Sequence, residues 1–223
     1  SRPWLMQDIT TVADNWQYRL KTWLGRSAIA GDAVPLLLAI VVGIVTGFGT
    51  YIFIELLEFT QHQVDTLRTS TGDLGGVAVM GLAGLLVGLI IWRFASEAKG
   101  HGVPEVMEAI ALRRGRIRPR VAVAKIIAST ITIGAGGSAG REGPIVQVGS
   151  TLGSTFGQRF KLTDEQVSVL VASGAAAGIS AAFNAPIAGA MFALEVILGR
   201  FSNRYLGMVV IASVAANVVS RVL

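Results

Sequence analysis

The sequence predicts an all-α, polytopic membrane protein with short broken and re-entrant helices. Three observations carry this. Of 223 residues, 52% are hydrophobic and 15% charged, and the mean hydropathy is +0.61; a soluble domain carries roughly 25% charged residues. Residues 33–54 contain no charge over 22 positions, and residues 74–92 contain none over 19, each long enough to cross a bilayer. Beyond residue 100 the apolar segments shorten and are interrupted by Gly and Pro.

Residues 1–30 mix Trp4, Trp16, Tyr18 and Trp23 with Arg2, Arg19, Lys21 and Arg26. That composition fits an interfacial helix lying on a membrane, and the stretch lacks the apolar core of a signal peptide. A start at Ser1 suggests a processed or cloned beginning. Two spans are expected next, joined by a connection that holds Asp65, Arg68 and Asp73.

The segment GHGVP (100–104) leads into a short helix, 104–113, and RRGRIRPR (113–120) follows with five arginines. Residues 121–133 are apolar except for Lys125, and GAGGSAGREGP (134–144) opens another short apolar segment to about Gly157. Thr163 to Gln166 reads as a capping box. Residues 167–194 are uncharged, but Phe183-Asn184-Ala185-Pro186 breaks them, with Asn184 a suitable cap and Pro186 suited to a first helical turn. The last apolar run is 206–220. Glycines four apart (Gly43/Gly47, Gly84/Gly88, Gly149/Gly153/Gly157, Gly174/Gly178) suit close helix packing in lipid.

The net charge of +5 comes from basic residues clustered between apolar runs, which fits loops at an inner membrane face better than nucleic-acid binding. The arginine stretch is expected in the cytoplasm, with the N-terminus on the same side and the connection around Asp65 outside. The membrane expected is the cell's inner or plasma membrane. With no cysteine, neither a disulfide framework nor a thiolate metal site is open to this chain. His62 and His101 lie on separate segments, and no nucleophile, base or metal-ligand set is assembled by spacing. Neither an enzyme, a cofactor nor a metal is expected.

The chemistry is expected at the two glycine-rich breaks, 100–104 and 140–144. A helix N-terminus offers unpaired N–H groups and the positive end of the macrodipole, so it attracts an anion without placing a full cation in low dielectric. Broken helices at membrane depth must line a cavity or be buried in protein. Glu142 stands in the second break. A carboxylate there competes with an anion for the same N–H groups and withdraws on protonation; alternatively it forms an ion pair with Arg141 or Lys125.

The strings GHGVPE, GREGP and FNAPIAGAMFALE resemble the signature segments of the CLC family of chloride channels and proton-coupled chloride transporters, where the first is usually GSGIPE and the second GKEGP or GREGP. The likeness runs in order from about residue 31 to the end. It implies one inverted repeat of a CLC-type fold over 31–223, in a homodimer with one pore per subunit. The second repeat has no counterpart in these residues, so a fragment of a longer protein is expected, partnered by its missing C-terminal half.

The resemblance further implies that Glu142 is the gating glutamate. It implies an outer anion site at the amides of Gly140, Arg141, Glu142 and Gly143, and an inner one at Gly100, His101, Gly102 and Val103. Two positions depart from the family pattern. His101 replaces a hydroxyl-donating serine and either donates from its imidazole or turns away. Val196 stands where many proton-coupled members carry a proton-transfer glutamate; Glu195 is adjacent. On this ground a gated chloride channel is expected, with a proton-coupled chloride exchanger as the alternative. Chloride is expected rather than fluoride, because a fluoride-selective branch typically lacks the proline found here at Pro144. A phosphate-cradling loop in 134–143 is disfavoured by the absence of a Lys-Ser/Thr pair and by the surrounding hydropathy. A non-transporting membrane subunit is the remaining alternative.

Overall fold

The computed structural model describes residues 28–94, 98–199 and 203–223. The interfacial helix expected over 1–30 thus falls almost wholly outside the described residues. A short unit ends at Pro35, and Leu36–Leu223 forms a second compact unit, to which the rest of the description refers.

The described residues are mostly helical, joined by short turns, with no strand among them. Helix α1 covers Ala28–Phe94 and is interrupted at Gly72, whose φ of 74° and ψ of −170° are outside helical values. It is followed by α2 (Val103–Arg113), α3 (Arg120–Gly134), α4 (Glu142–Arg159), α5 (Asp164–Phe183) and α6 (Pro186–Phe192). A π turn, Ala193–Ile197, continues from α6, and α7 is Asn203–Val222. Among the described residues four segments are long and apolar enough to cross a membrane: Ala33–Gly72, Leu74–Arg93, Asp164–Phe183 and Tyr205–Val222.

The connection expected between the first two spans is not a loop. The first arm stays helical through its polar portion to Gly72. The hydroxyls of Thr60, Thr66, Thr69, Ser70 and Thr71 donate to carbonyls three or four residues back, so the polar residues are satisfied within the helix. Forty residues from Ala33 to Gly72 span about 60 Å, twice a hydrocarbon core of about 30 Å.

The glycine spacing is used at most of the expected places. A Cβ on Gly149 would collide with the Gly174 carbonyl, and one on Gly174 with that of Gly149, so α4 and α5 touch backbone to backbone. Gly43 and Gly47 face Ala212 and Ala216 of α7 in the same way. Gly84 and Gly88 face open space in this chain. The buried core gathers Val106, Val121, Val146, Leu170, Leu194 and Val209 around α5.

The α5 start matches its expected capping box: Thr163 Oγ1 accepts from Gln166 N at 3.3 Å, and Thr163 N donates to Gln166 Oε1 at 3.1 Å. At the other end, Asn184 does not start α6. It closes α5 with a left-handed φ of 54°, and Ala185 precedes α6. Asn suits both roles, since its short amide tolerates the left-handed region. Helix α7 then satisfies the broken backbone. Ser213 Oγ donates to Pro186 O at 2.7 Å, Ser220 Oγ to Ala181 O at 2.8 Å, and Arg221 Nε to Asn184 Oδ1 at 2.6 Å. The arginine stretch is also fixed: Ser154 Oγ donates to Gly115 O at 2.6 Å, and Arg114 and Arg116 both pair with Asp164.

Candidate anion site

Each glycine-rich break ends at a helix start, as expected, and the fold brings the two starts together. Gly102 is buried, with φ 104°, and a Cβ on it would strike the Gly143 carbonyl. A Cβ on Gly143 would strike the His101 carbonyl. Only glycine permits this approach, and at 102 only glycine accepts the backbone angle without strain. The N-termini of α2 and α4 therefore converge. The first amides of each helix have no carbonyl one turn earlier to bond, and two positive dipole ends act on one place.

Side chains then set the local charge. Glu105 folds back over the start of α2, and the Gly102 amide donates to its Oε2 at 2.6 Å. One amide of the inner set is thereby already engaged, and Gly100 is packed under the same carboxylate. Lys125 is 4% exposed and donates from Nζ to Ala98 O at 3.1 Å and Gly100 O at 2.7 Å. It is close enough to Glu105 to interact electrostatically. Glu105 and Lys125 together clamp the loop that presents His101, Gly102 and Val103.

Glu142 is exposed and is the first residue of α4, with its carboxylate turned back over Gly140. Among the described residues no ion pair joins it to Arg141 or Lys125, the partners considered from sequence. Lys125 serves the backbone instead, and Arg141 lies over the Phe183 ring, 5.7 Å from its centroid. That contact links the start of α4 to the end of α5.

His101 is exposed and borders a cavity of about 340 Å³ with Lys125, Ser129, Thr132, Ser138 and Pro144. Val103 begins α2 and packs partly on the core. Glu195 and Val196 lie exposed on the π turn, which packs against α2. The structure therefore assembles 100–103 with 140–143. It places 195–196 on a separate element behind α2. Sequence reading did not single out Glu105, Lys125 as a backbone clamp, or Phe183. Two signals were present: Glu105 is the third residue of a helix starting after glycine, the place of a capping-box carboxylate, and Lys125 is the lone charge in 121–133.

Residues 83–223 match the family model described as voltage gated chloride channel. The chain is 35% identical over 199 residues to the H(+)/Cl(-) exchange transporter ClcA of Vibrio parahaemolyticus, covering 83% of this chain and 42% of that protein. Among solved structures it is similar to a slow cyanobacterial Cl-/H+ antiporter, with TM-score 0.69 and 29% identity over 84% of this chain and 46% of that one. A CLC-type fluoride/proton antiporter aligns with TM-score 0.74 and 28% identity, over 85% and 46%. The chain thus spans less than half the length of these relatives.

Proposed function

The chain belongs to the voltage gated chloride channel family, and on that premise we propose that it forms half of an anion pathway that exchanges chloride for protons. The observation that carries this is the convergence of the α2 and α4 N-termini at Gly102 and Gly143. In this reading a chloride ion is held by amides of 100–103 and 140–143. Its attraction comes from partial charges, so it is held without a bare cation and released readily. Glu142 is the competing group. Ionised, its carboxylate takes the amides at the start of α4; protonated, it yields them to the anion. One group then answers to both ions. Further polypeptide of the same family completes the site, and the assembled protein is a dimer in the membrane.

The names of the relatives favour exchange over the channel expected from Val196. A valine cannot carry a proton, so in an exchanger the inner proton path uses Glu195 or water rather than position 196. The channel remains the second reading, on that one residue. Purified protein completed by its C-terminal half, in vesicles under a chloride gradient, separates them. Uphill proton movement driven by chloride is the expected result. Flux that follows the chloride equilibrium potential and ignores a pH gradient supports the channel, and absence of anion flux rejects both.

A further inference from the structure

Two cavities meet at the inner break. The larger, about 560 Å³, lies among Lys99, Glu105, Glu108, Arg113 and Arg116, on the side of the arginine stretch. The smaller, about 340 Å³, lies between the second arm of α1, α3 and the 138–140 segment. Gly100 lines both and has no side chain to divide them. The smaller cavity is also bounded by Gly140, the residue over which the Glu142 carboxylate is turned. Each volume is many times the roughly 30 Å³ that one water takes. Ser129 and Ser138 bring polar residues to the wall of the smaller cavity. Neither Glu195 nor Val196 lines either one.

Two titratable side chains border the smaller cavity, His101 and Lys125. Lys125 is poorly suited to pass a proton on: its ammonium has no lone pair and is held by the Ala98 and Gly100 carbonyls. Glu105, packed against Gly100, already accepts from the Gly102 amide. His101 is exposed, and a neutral imidazole accepts at one nitrogen while it donates from the other. We propose that, in the exchange reading on which this rests, His101 is the inner proton carrier. It passes protons from water in the larger cavity to water in the smaller one, and so to Glu142. A proton arriving from the larger cavity adds to one ring nitrogen. The other nitrogen gives up its own proton to water beside Ser129 and Ser138, and the Glu142 carboxylate takes it and becomes the neutral acid. The ring is left neutral as its other tautomer, and a ring flip resets it. The route runs through 100–101 and 138–140 and bypasses the valine at 196.

The test follows chloride and proton movements together, in vesicles holding the protein completed by its C-terminal half, at saturating chloride. His101→Ala should cut chloride-driven proton movement at least about tenfold while chloride flux stays within about twofold of wild type. Added imidazole should restore proton movement in His101→Ala, because the vacated space adjoins the cavity, and should leave the wild type unchanged. His101→Gln, which keeps a polar side chain of similar reach, should lose proton movement equally and respond less to imidazole. Rescue by a free imidazole separates a proton carrier from a residue that only shapes the loop. Wild-type protein that moves no proton uphill under a chloride gradient overturns the exchange reading and this route with it. Wild-type coupling that survives both variants overturns the route alone. So does an equal loss of proton and chloride movement that imidazole does not restore.

Discussion

Replacing Lys125 with Met tests whether the loop at residues 98–102 is held by one buried cation. Met keeps most of the volume and removes the ammonium. Two carbonyls, Ala98 O and Gly100 O, lose a charged donor at 3.1 and 2.7 Å. The buried Ala98 carbonyl left unpaired costs about 1–3 kcal/mol, and the partly exposed Gly100 carbonyl less. Against this stands relief from keeping an ammonium out of water, which is worth several kcal/mol when its partners are poor and less when they are good. Both contacts here have good length, and Glu105 adds a counter-charge. The orphaned carbonyls therefore outweigh the relief, leaving a net loss of about 2–3 kcal/mol. For a chain of this size that is about 5–10 °C in unfolding temperature. The assay is thermal unfolding in detergent, followed by circular dichroism. Glu105→Gln alone should cost less, since an amide oxygen still accepts from the Gly102 amide. The double variant should fall short of the sum by about 1–2 kcal/mol, because the two charges share one loop. An unchanged unfolding temperature in Lys125→Met, or strict additivity of the pair, would refute the clamp.

Glu142→Gln imitates the protonated carboxylate, so in the completed protein it should raise anion flux and abolish its dependence on outside pH; unchanged flux and unchanged pH response in vesicles would reject a gating role. His101→Ala tests the imidazole: if the ring donates to the anion, calorimetry should show about tenfold weaker binding in the variant, about 1.4 kcal/mol, whereas wild-type affinity excludes the ring as a donor. Gly102→Ala forces a side chain against the Gly143 carbonyl at φ 104° and should weaken anion binding by at least tenfold, about 1.4 kcal/mol; wild-type affinity would mean that the close approach is not needed. Thr163→Ala removes the cap of α5 far from the site and should cost about 1 kcal/mol of stability while leaving anion affinity unchanged.

Local chemistry was legible and partner choice was not. The α5 start could be read from Thr163 and Gln166 because a capping box is closed within four residues. Helix starts at Pro104, Pro144 and Pro186 could be read because proline fixes its own φ and lacks a donor. The glycine spacing gave the right faces at Gly149 and Gly174, but it could not tell them from Gly84 and Gly88, which meet nothing in this chain. Residues 55–72 looked like a polar connection, yet a hydroxyl that bonds its own helix leaves no mark in composition. Asn184 has two good roles at a helix boundary, and tertiary contact with Arg221 accompanies the C-terminal one. Lys125 was the least legible, since a lone lysine in an apolar run invites a carboxylate partner. Its nearest acceptors are carbonyls 27 and 25 residues earlier, which only the fold supplies.

Under the proposed function, those carbonyls also account for how the site attracts an anion and still lets it go. A free ammonium at membrane depth would bind chloride tightly and hold it, since unit charges in low dielectric interact by many kcal/mol. Here two cations beside the helix starts are both occupied. Lys125 is turned onto Ala98 O and Gly100 O, and Arg141 lies over Phe183. What faces the junction of Gly102 and Gly143 is backbone, whose partial charges give weaker and shorter-ranged attraction. Lys125 acts one step back: it holds the carbonyls of Ala98 and Gly100, while the Gly102 amide is engaged by Glu105. Glu142 completes the balance, because a carboxylate can compete with an anion held by amides but could not displace one held by a bare lysine. In the proposed function, a gate that works by protonating one glutamate requires that Lys125 be engaged elsewhere, so the clamp and the proposed gate form one arrangement.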